Sequence, residues 1–211
     1  MVRNPERRAA LLDGALAVLA EQGARGLTFR AVDAAAEVPV GTASNYFADR
    51  DDLLTQAGGH LYVRFAPDPQ EAERAMAGAS TAEDVAGLMR WVMARMSAER
   101  TAYLALLELR LEATRRPALR GTLTRRIRQD LDDNVRGHLE ARLPGGRSEV
   151  VMLYLAMTGL VVEHLTLPGV LDGEGGPDAL IGALVHRILP ADADGDTDGD
   201  GSRGTAEGGG G

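Results

Sequence analysis

Short apolar stretches with a repeat of three to four residues, each cut off by Pro or Gly, constrain this chain more than any other feature. Ala9, Leu12, Leu16 and Leu19 stand 3, 4 and 3 apart, a spacing that collects them on one face of a helix and departs from the strict alternation of a half-buried strand. The rest of the sequence reads the same way. Residue types that favour strands are scarce, with aromatics at only 4 % and β-branched residues few beside Ala, Leu and Arg, so the packed structure is expected to be all-α.

The breaks then set the helices. Gly23 and Gly26 close the first, Thr28 caps a short one through Ala36, Val38-Pro39 interrupts, and a second short helix is expected from Val40 to Phe47. Asp49 caps the next, to about Ala66, and a weak stretch runs from Gln70 to Ala77. Ser80-Thr81-Ala82-Glu83 has the form of a capping box that opens a helix to about Ala98. Helices are expected over Thr101–Arg115, Ala118–Leu143 with Pro117 at its first turn, Ser148–Leu165 and Pro177–Leu189, about nine in all. At roughly 150 residues per domain, the 211 residues make one domain or one with an appendage. The division expected is 1–50, 51–190 and an acidic Gly/Asp tail at 191–211 that buries too little apolar surface to order itself.

Charge has to be apportioned before it says anything about partners. The net −8 divides into −2 over residues 1–60, −1 over 61–187 and −5 over 188–211, so the folded part is near neutral and DNA binding depends on where a few Arg point. All 23 basic residues are Arg. With no cysteine, disulfides, thiolate metal sites and thiol nucleophiles are excluded. The run Val150–Val162, bracketed by Glu149 and Glu163, is shorter than the roughly 20 residues that a bilayer requires. No membrane partner is expected, and the lack of an export signal and of cysteine points to the cytoplasm.

Enzymatic readings lack their residues. No Glu stands three before His60, His138, His164 or His186, no G-x-S-x-G elbow is present, and no Gly-rich phosphate loop precedes a helix, so neither an enzyme nor a cofactor is expected. Asp196, Asp198, Asp200, Gly201 and Glu207 match a calcium-loop pattern. No amphipathic helix flanks them and Arg203 falls where an aliphatic residue is usual, so the match is assigned to an Asp-Gly repeat and no metal is expected.

Gly26–Leu54 is the informative segment. Two short helices across a tight break, followed at once by a longer one, give helix-turn-helix geometry in which the second helix can lie in a major groove. Ala43 and Phe47 form its inward stripe, leaving Thr42, Ser44, Asn45 and Tyr46 as an outward polar, uncharged face. Asn pairs bidentately with adenine and hydroxyls bond bases or phosphates. Gly41 permits close backbone approach, and Arg30 and Arg50 flank the helix where phosphates would run, with Thr28 beside them.

Residues 5–54 resemble the DNA-binding region of the tetracycline-repressor (TetR) family of bacterial transcriptional regulators. The resemblance lies in the capped Thr-Phe helix, the Gly-Thr entry, and V-P-V-G-T-A-S-N-Y-F-A-D-R-D-D-L-L at Val38–Leu54. Val40 stands where many members carry Lys or Arg, and Ser44 where many carry an aromatic. The resemblance implies an N-terminal three-helix DNA-binding domain and a C-terminal helical domain for ligand binding and dimerisation. It further implies a homodimer on a palindromic double-stranded operator, usually a repressor, that a small molecule releases.

The remaining chain supplies candidates for both tasks. An apolar or amphipathic effector is expected between the helices that carry Met89, Trp91, Met93, Met96, Tyr103 and Leu107, with Arg110 as a polar anchor; ordinary core packing explains the same stripes. For the dimer, Val150, Val151, Tyr154, Met157, Val161 and Leu165 occupy more faces of one helix than a single core would cover, and Ile181, Leu184, Val185 and Ile188 extend the surface on the last. The alternative function is a helical small-molecule carrier or interaction protein whose helix-turn-helix serves only as scaffold.

Overall fold

In the computed structural model, which describes residues 4–189, the chain is a bundle of nine α-helices and two 3-10 turns, with no strand among the described residues. The helices are α1 (Pro5–Gly26), α2 (Phe29–Ala35), α3 (Arg50–Phe65), α4 (Pro69–Met76), α5 (Ala82–Ala98), α6 (Arg100–Ala113), α7 (Pro117–Glu140), α8 (Arg147–Thr166) and α9 (Gly176–Ile188). Proline stands in the first turn of α1, α4, α7 and α9, where its missing N–H costs nothing and its fixed φ suits the helix. Side-chain caps open α1, α2, α3, α4 and α5. The Asn4 carboxamide oxygen accepts from Glu6 N and Arg7 N, and Thr28 Oγ1 accepts from Ala31 N. Thr81 and Asp84 exchange bonds in a capping box. The tail with its calcium-loop pattern lies outside the described residues.

One core runs through the bundle. Leu11, Leu19, Leu27, Val32, Leu53, Leu54 and Leu61 are fully buried where α1, α2 and α3 meet. That unit docks on the rest along α1 against α6 and α3 against α7, while α5 and α8 pack on α9. Gly14 lets α1 and α2 meet closely, since a Cβ there would stand 3.0 Å from Ala36 N and 3.2 Å from Val32 O.

Two expectations need correcting. The first concerns α8, which is 20 residues long and apolar enough by composition to cross a membrane, and so longer than the run read from sequence. It packs against α5, α6, α7 and α9 of its own chain. As a result Val150, Met157, Val161, Leu165, Ile181 and Val185 are buried within the chain itself, and Val151, Tyr154, Leu184 and Ile188 are half-buried. The neighbouring core covers the first six of these residues and part of the other four. The apolar residues α8 leaves exposed are Met152 and Leu155, with Gly159 in open space beside them.

The second concerns Val40–Phe47, which forms no α-helix. Only Ala43–Asn45 is helical, as a 3-10 turn. Thr42, Asn45 and Tyr46 donate to carbonyls three residues back, and only Phe47 N reaches four back, to Ala43 O. With three residues per turn, positions i and i+3 eclipse. Tyr46 therefore shares the inward face of Ala43 and is 9 % exposed, against the outward orientation expected for it.

Candidate nucleic-acid interface

The turn owes its shape to Asp33, a carboxylate 1 % exposed on α2. Its Oδ2 accepts from Gly41 N and its Oδ1 from Ala43 N, both at 2.7 Å. Each bond is charge-assisted, and together they hold two amides that no helix ladder satisfies. Gly41 has φ +92°, a region L side chains rarely enter, so glycine is needed there for conformation. Ala43, Tyr46 and Phe47 anchor the turn in the core. Asp33 is the residue that sequence reasoning missed; an acid in the apolar run of α2, eight positions before a glycine, was its only trace.

What the turn presents outward is small and polar. Ser44 and Asn45 are exposed and Thr42 half-exposed. Their donors turn back on the turn itself, with Ser44 Oγ at 2.8 Å and Asn45 Nδ2 at 3.0 Å from Gly41 O, and Thr42 Oγ1 on Pro39 O. The Asn45 carboxamide oxygen keeps its acceptor capacity for an incoming donor. Val40 is 80 % exposed, an apolar surface of the size that suits a thymine methyl. Thr28 and Arg30 are exposed as well. Arg50 is engaged otherwise, since its guanidinium donates to Leu27 O at 3.2 Å and to Ala24 O, tying the junction of α1 and α2 to the start of α3.

That junction is also where the second half of the chain takes hold. α1 breaks its helical dihedrals at Gly23, and Glu108 Oε2 on α6 accepts from Ala24 N at 3.0 Å. A second link runs from Glu112, which receives Arg116 Nε at 2.9 Å and Arg115 at 2.7 Å, through Arg116 to Asp51 at 3.0 Å on α3. The Arg115 hydrogen bond, followed by the nearby Arg116 charge, holds the Glu112 carboxyl below its ordinary pKa.

The expected effector residues scatter. Met93 and Tyr103 are buried in the core, while Met89, Met96 and Leu107 are half-buried against it. Trp91 Nε1 donates to Glu71 at 3.1 Å. Met93 does reach a shallow depression beside His164 and Pro177. A separate and equally open cavity of about 360 Å³ lies between α6, α7 and α8, and of the expected set only Arg110 lines it. Its other walls carry Arg120, Leu123, Ile127, Arg128 and Tyr154; α7 supplies most of them, a helix for which sequence reading gave no pocket signal.

Family models match two stretches of the chain. Residues 11–57 match the model for bacterial regulatory proteins of the tetR family, and residues 80–191 the tetracyclin repressor-like C-terminal domain. The chain belongs to the TetR family. It is a TetR-family transcriptional regulator in fold and domain content, and the all-α architecture expected from sequence is the family's. Among solved structures it is similar to the multidrug binding protein EbrR complexed with ethidium, at 26 % identity and TM-score 0.63, over 89 % of this chain and all of that one. A TetR-family member from Streptomyces coelicolor A3 gives the same identity, TM-score and coverage. A TetR-family regulator from Rhodococcus shares the fold at 24 % identity and TM-score 0.62, over 88 % of this chain and 97 % of that one. A search of curated proteins finds no match.

Proposed function

We propose that this TetR-family regulator is a homodimeric repressor that reads a palindromic operator with the turn after α2 and is released when a small molecule enters its second domain. The observation that carries the reading is the Asp33 clamp. A charged group is buried to fix a turn whose outer surface is Thr42, Ser44 and Asn45, which is preorganisation of a recognition surface rather than of a core. In this reading Val40, Gly41, Thr42, Ser44 and Asn45 face base edges, Thr28 and Arg30 bond phosphates, and Tyr46 and Arg50 hold the platform. The dimer forms on the exposed stripe of α8, Met152, Leu155 and Gly159, and on α9, which would set two turns on successive major-groove faces. Release is supported by α6, which carries Arg110 at the cavity and Glu108 at the α1 junction.

A mobility-shift titration with the duplex upstream of the protein's own coding sequence tests this reading. A shift with nanomolar to micromolar affinity that is lost in a folded Thr42→Ala, Ser44→Ala, Asn45→Ala triple variant supports it. An unaltered shift in that variant removes the turn as reader. Sedimentation at micromolar concentration tests the dimer, and a monomer there removes the palindrome as well.

A further inference from the structure

We propose that the cavity between α6, α7 and α8 is a binding site for a small amphipathic anion, a carboxylate on an apolar chain or ring. The proposal deepens the regulator reading by naming the class of effector, and it depends on that reading only for the release of DNA.

The cavity is an open depression of about 360 Å³, so its volume falls at the lower end of the roughly 300–1,000 Å³ usual for ligand pockets while one side faces solvent. Leu123, Ile127 and Leu131 supply apolar walls, and three guanidinium groups, Arg110, Arg120 and Arg128, stand among them with no carboxylate in the lining. Their partners elsewhere are few. Arg128 Nε is 3.1 Å from Asp132, whereas Arg110 has only the Tyr154 hydroxyl, at 3.4 Å, and neither Arg110 nor Arg120 pairs with an acid among the described residues. Two uncompensated cations beside apolar walls select an anion with an apolar body and exclude a cation of the same shape.

A second observation lies behind the wall. Tyr62 is 7 % exposed, and its hydroxyl is buried with no hydrogen-bond partner. It sits within electrostatic reach of Arg110 and Tyr154, both of which line the cavity. Arg126, stacked on the Tyr62 ring at 5.1 Å, also buries its Nε unpartnered. Buried polar atoms are almost always satisfied, so these two unpartnered atoms mark the packing behind Arg110 and Tyr154 as incompletely satisfied, while neither Tyr62 nor Arg126 itself lines the depression. A carboxylate that accepts from Arg110 and Arg120, with its tail along Leu123 and Ile127, gives those two guanidinium groups the anionic partner they lack.

Calorimetric titration of the full chain with decanoate and with 2-naphthoate tests the site, with decanol and decyltrimethylammonium as head-group controls. Expected is saturable binding of at least one acid at one per chain. Decanol should bind at least about tenfold more weakly, the loss of a charge-assisted anchor, and the cation should give no saturable heat. Arg120→Gln lies on an exposed position and leaves the fold intact; it and Arg110→Gln should each weaken the acid, and the pair should abolish its binding while operator affinity stays at the parent value. Failure of both acids to bind a chain that shifts its operator normally overturns the site and leaves the regulator. Binding of the acid undiminished by the double substitution, or equal binding of acid and cation, also overturns it. Acid binding that leaves operator affinity unaltered keeps the site and removes release.

Discussion

The turn after α2 and the cavity beside α7 both place charged groups in apolar surroundings, and they resolve the cost in opposite ways. At the turn, Asp33 meets two amides at 2.7 Å. Beside the cavity, Tyr62 and Arg126 leave polar atoms without partners, and Asp130 is raised above its ordinary pKa, chiefly by burial and against the pull of Arg126. The first arrangement is complete in the free protein and the second is not. A surface that must recognise a fixed groove gains from being rigid beforehand, whereas a site that must respond to a ligand gains from being unsatisfied until the ligand arrives.

The largest expected effect attacks the complete side. Asp33→Ala orphans the Gly41 and Ala43 amides and is expected to cost about 2–3 kcal/mol in urea denaturation, with operator binding lost. Asp33→Asn retains one acceptor and should cost clearly less; equal costs would show that the clamp matters for packing alone. Next, Asn45→Ala should weaken specific operator binding by about 1–3 kcal/mol without moving the unfolding midpoint. Glu108→Ala comes third. It should leave the binding of DNA alone and of ligand alone near parent values while reducing the factor by which each lowers the other's affinity, which is measured by titrating one in the presence of the other.

The smallest effects compare two carboxyls by pH. Glu112 is held below its ordinary 4.5 by Arg115 and Arg116, so its stabilisation is whole above about 4.5 and fades as pH falls through the depressed value. Asp130 is raised above 3.8, so ionised Asp130 destabilises at neutral pH and that penalty lifts as pH falls through the raised value toward 3.8. Thermal melts should accordingly show Glu112→Gln lowering Tm at pH 7 and Asp130→Asn raising it, with the Asp130 difference shrinking as pH falls toward 3.8 and the Glu112 difference shrinking only below about 4.5. Like signs would erase the contrast between the two regions.

Helix ends were legible because Pro, Thr28 and Asp49 act within a few residues of themselves, whereas the capping box read at Ser80–Glu83 forms one residue on, between Thr81 and Asp84. The fold class followed from the same local signals. The turn was legible as a break and not as a 3-10 segment, because its shape depends on Asp33 eight to ten residues away, a contact that periodicity does not register. The Met and Tyr stripes of α5 and α6 were correctly apolar, but whether an apolar stripe faces a core or a cavity depends on how closely its neighbours approach. The cavity went unseen for the same reason: α7 reads as an ordinary Arg-rich helix until α6 and α8 are placed around it. The exposed stripe of α8 was hidden too, since a helix apolar nearly all round does not reveal which face its own chain covers.

The capture of Arg50 by Ala24 O and Leu27 O reaches into solution behaviour. An arginine engaged by backbone carbonyls releases no condensed counterion from DNA, and each phosphate contact forgone removes about 0.9 from the slope of log affinity against log salt. With Arg30 the other arginine of this segment, and with twofold symmetry doubling the loss in the proposed dimer, operator binding should fall more gently with added salt than a count of the arginines in Gly26–Leu54 suggests. The discrimination between operator and random duplex should then survive at ionic strengths where more basic regulators retain little grip on either.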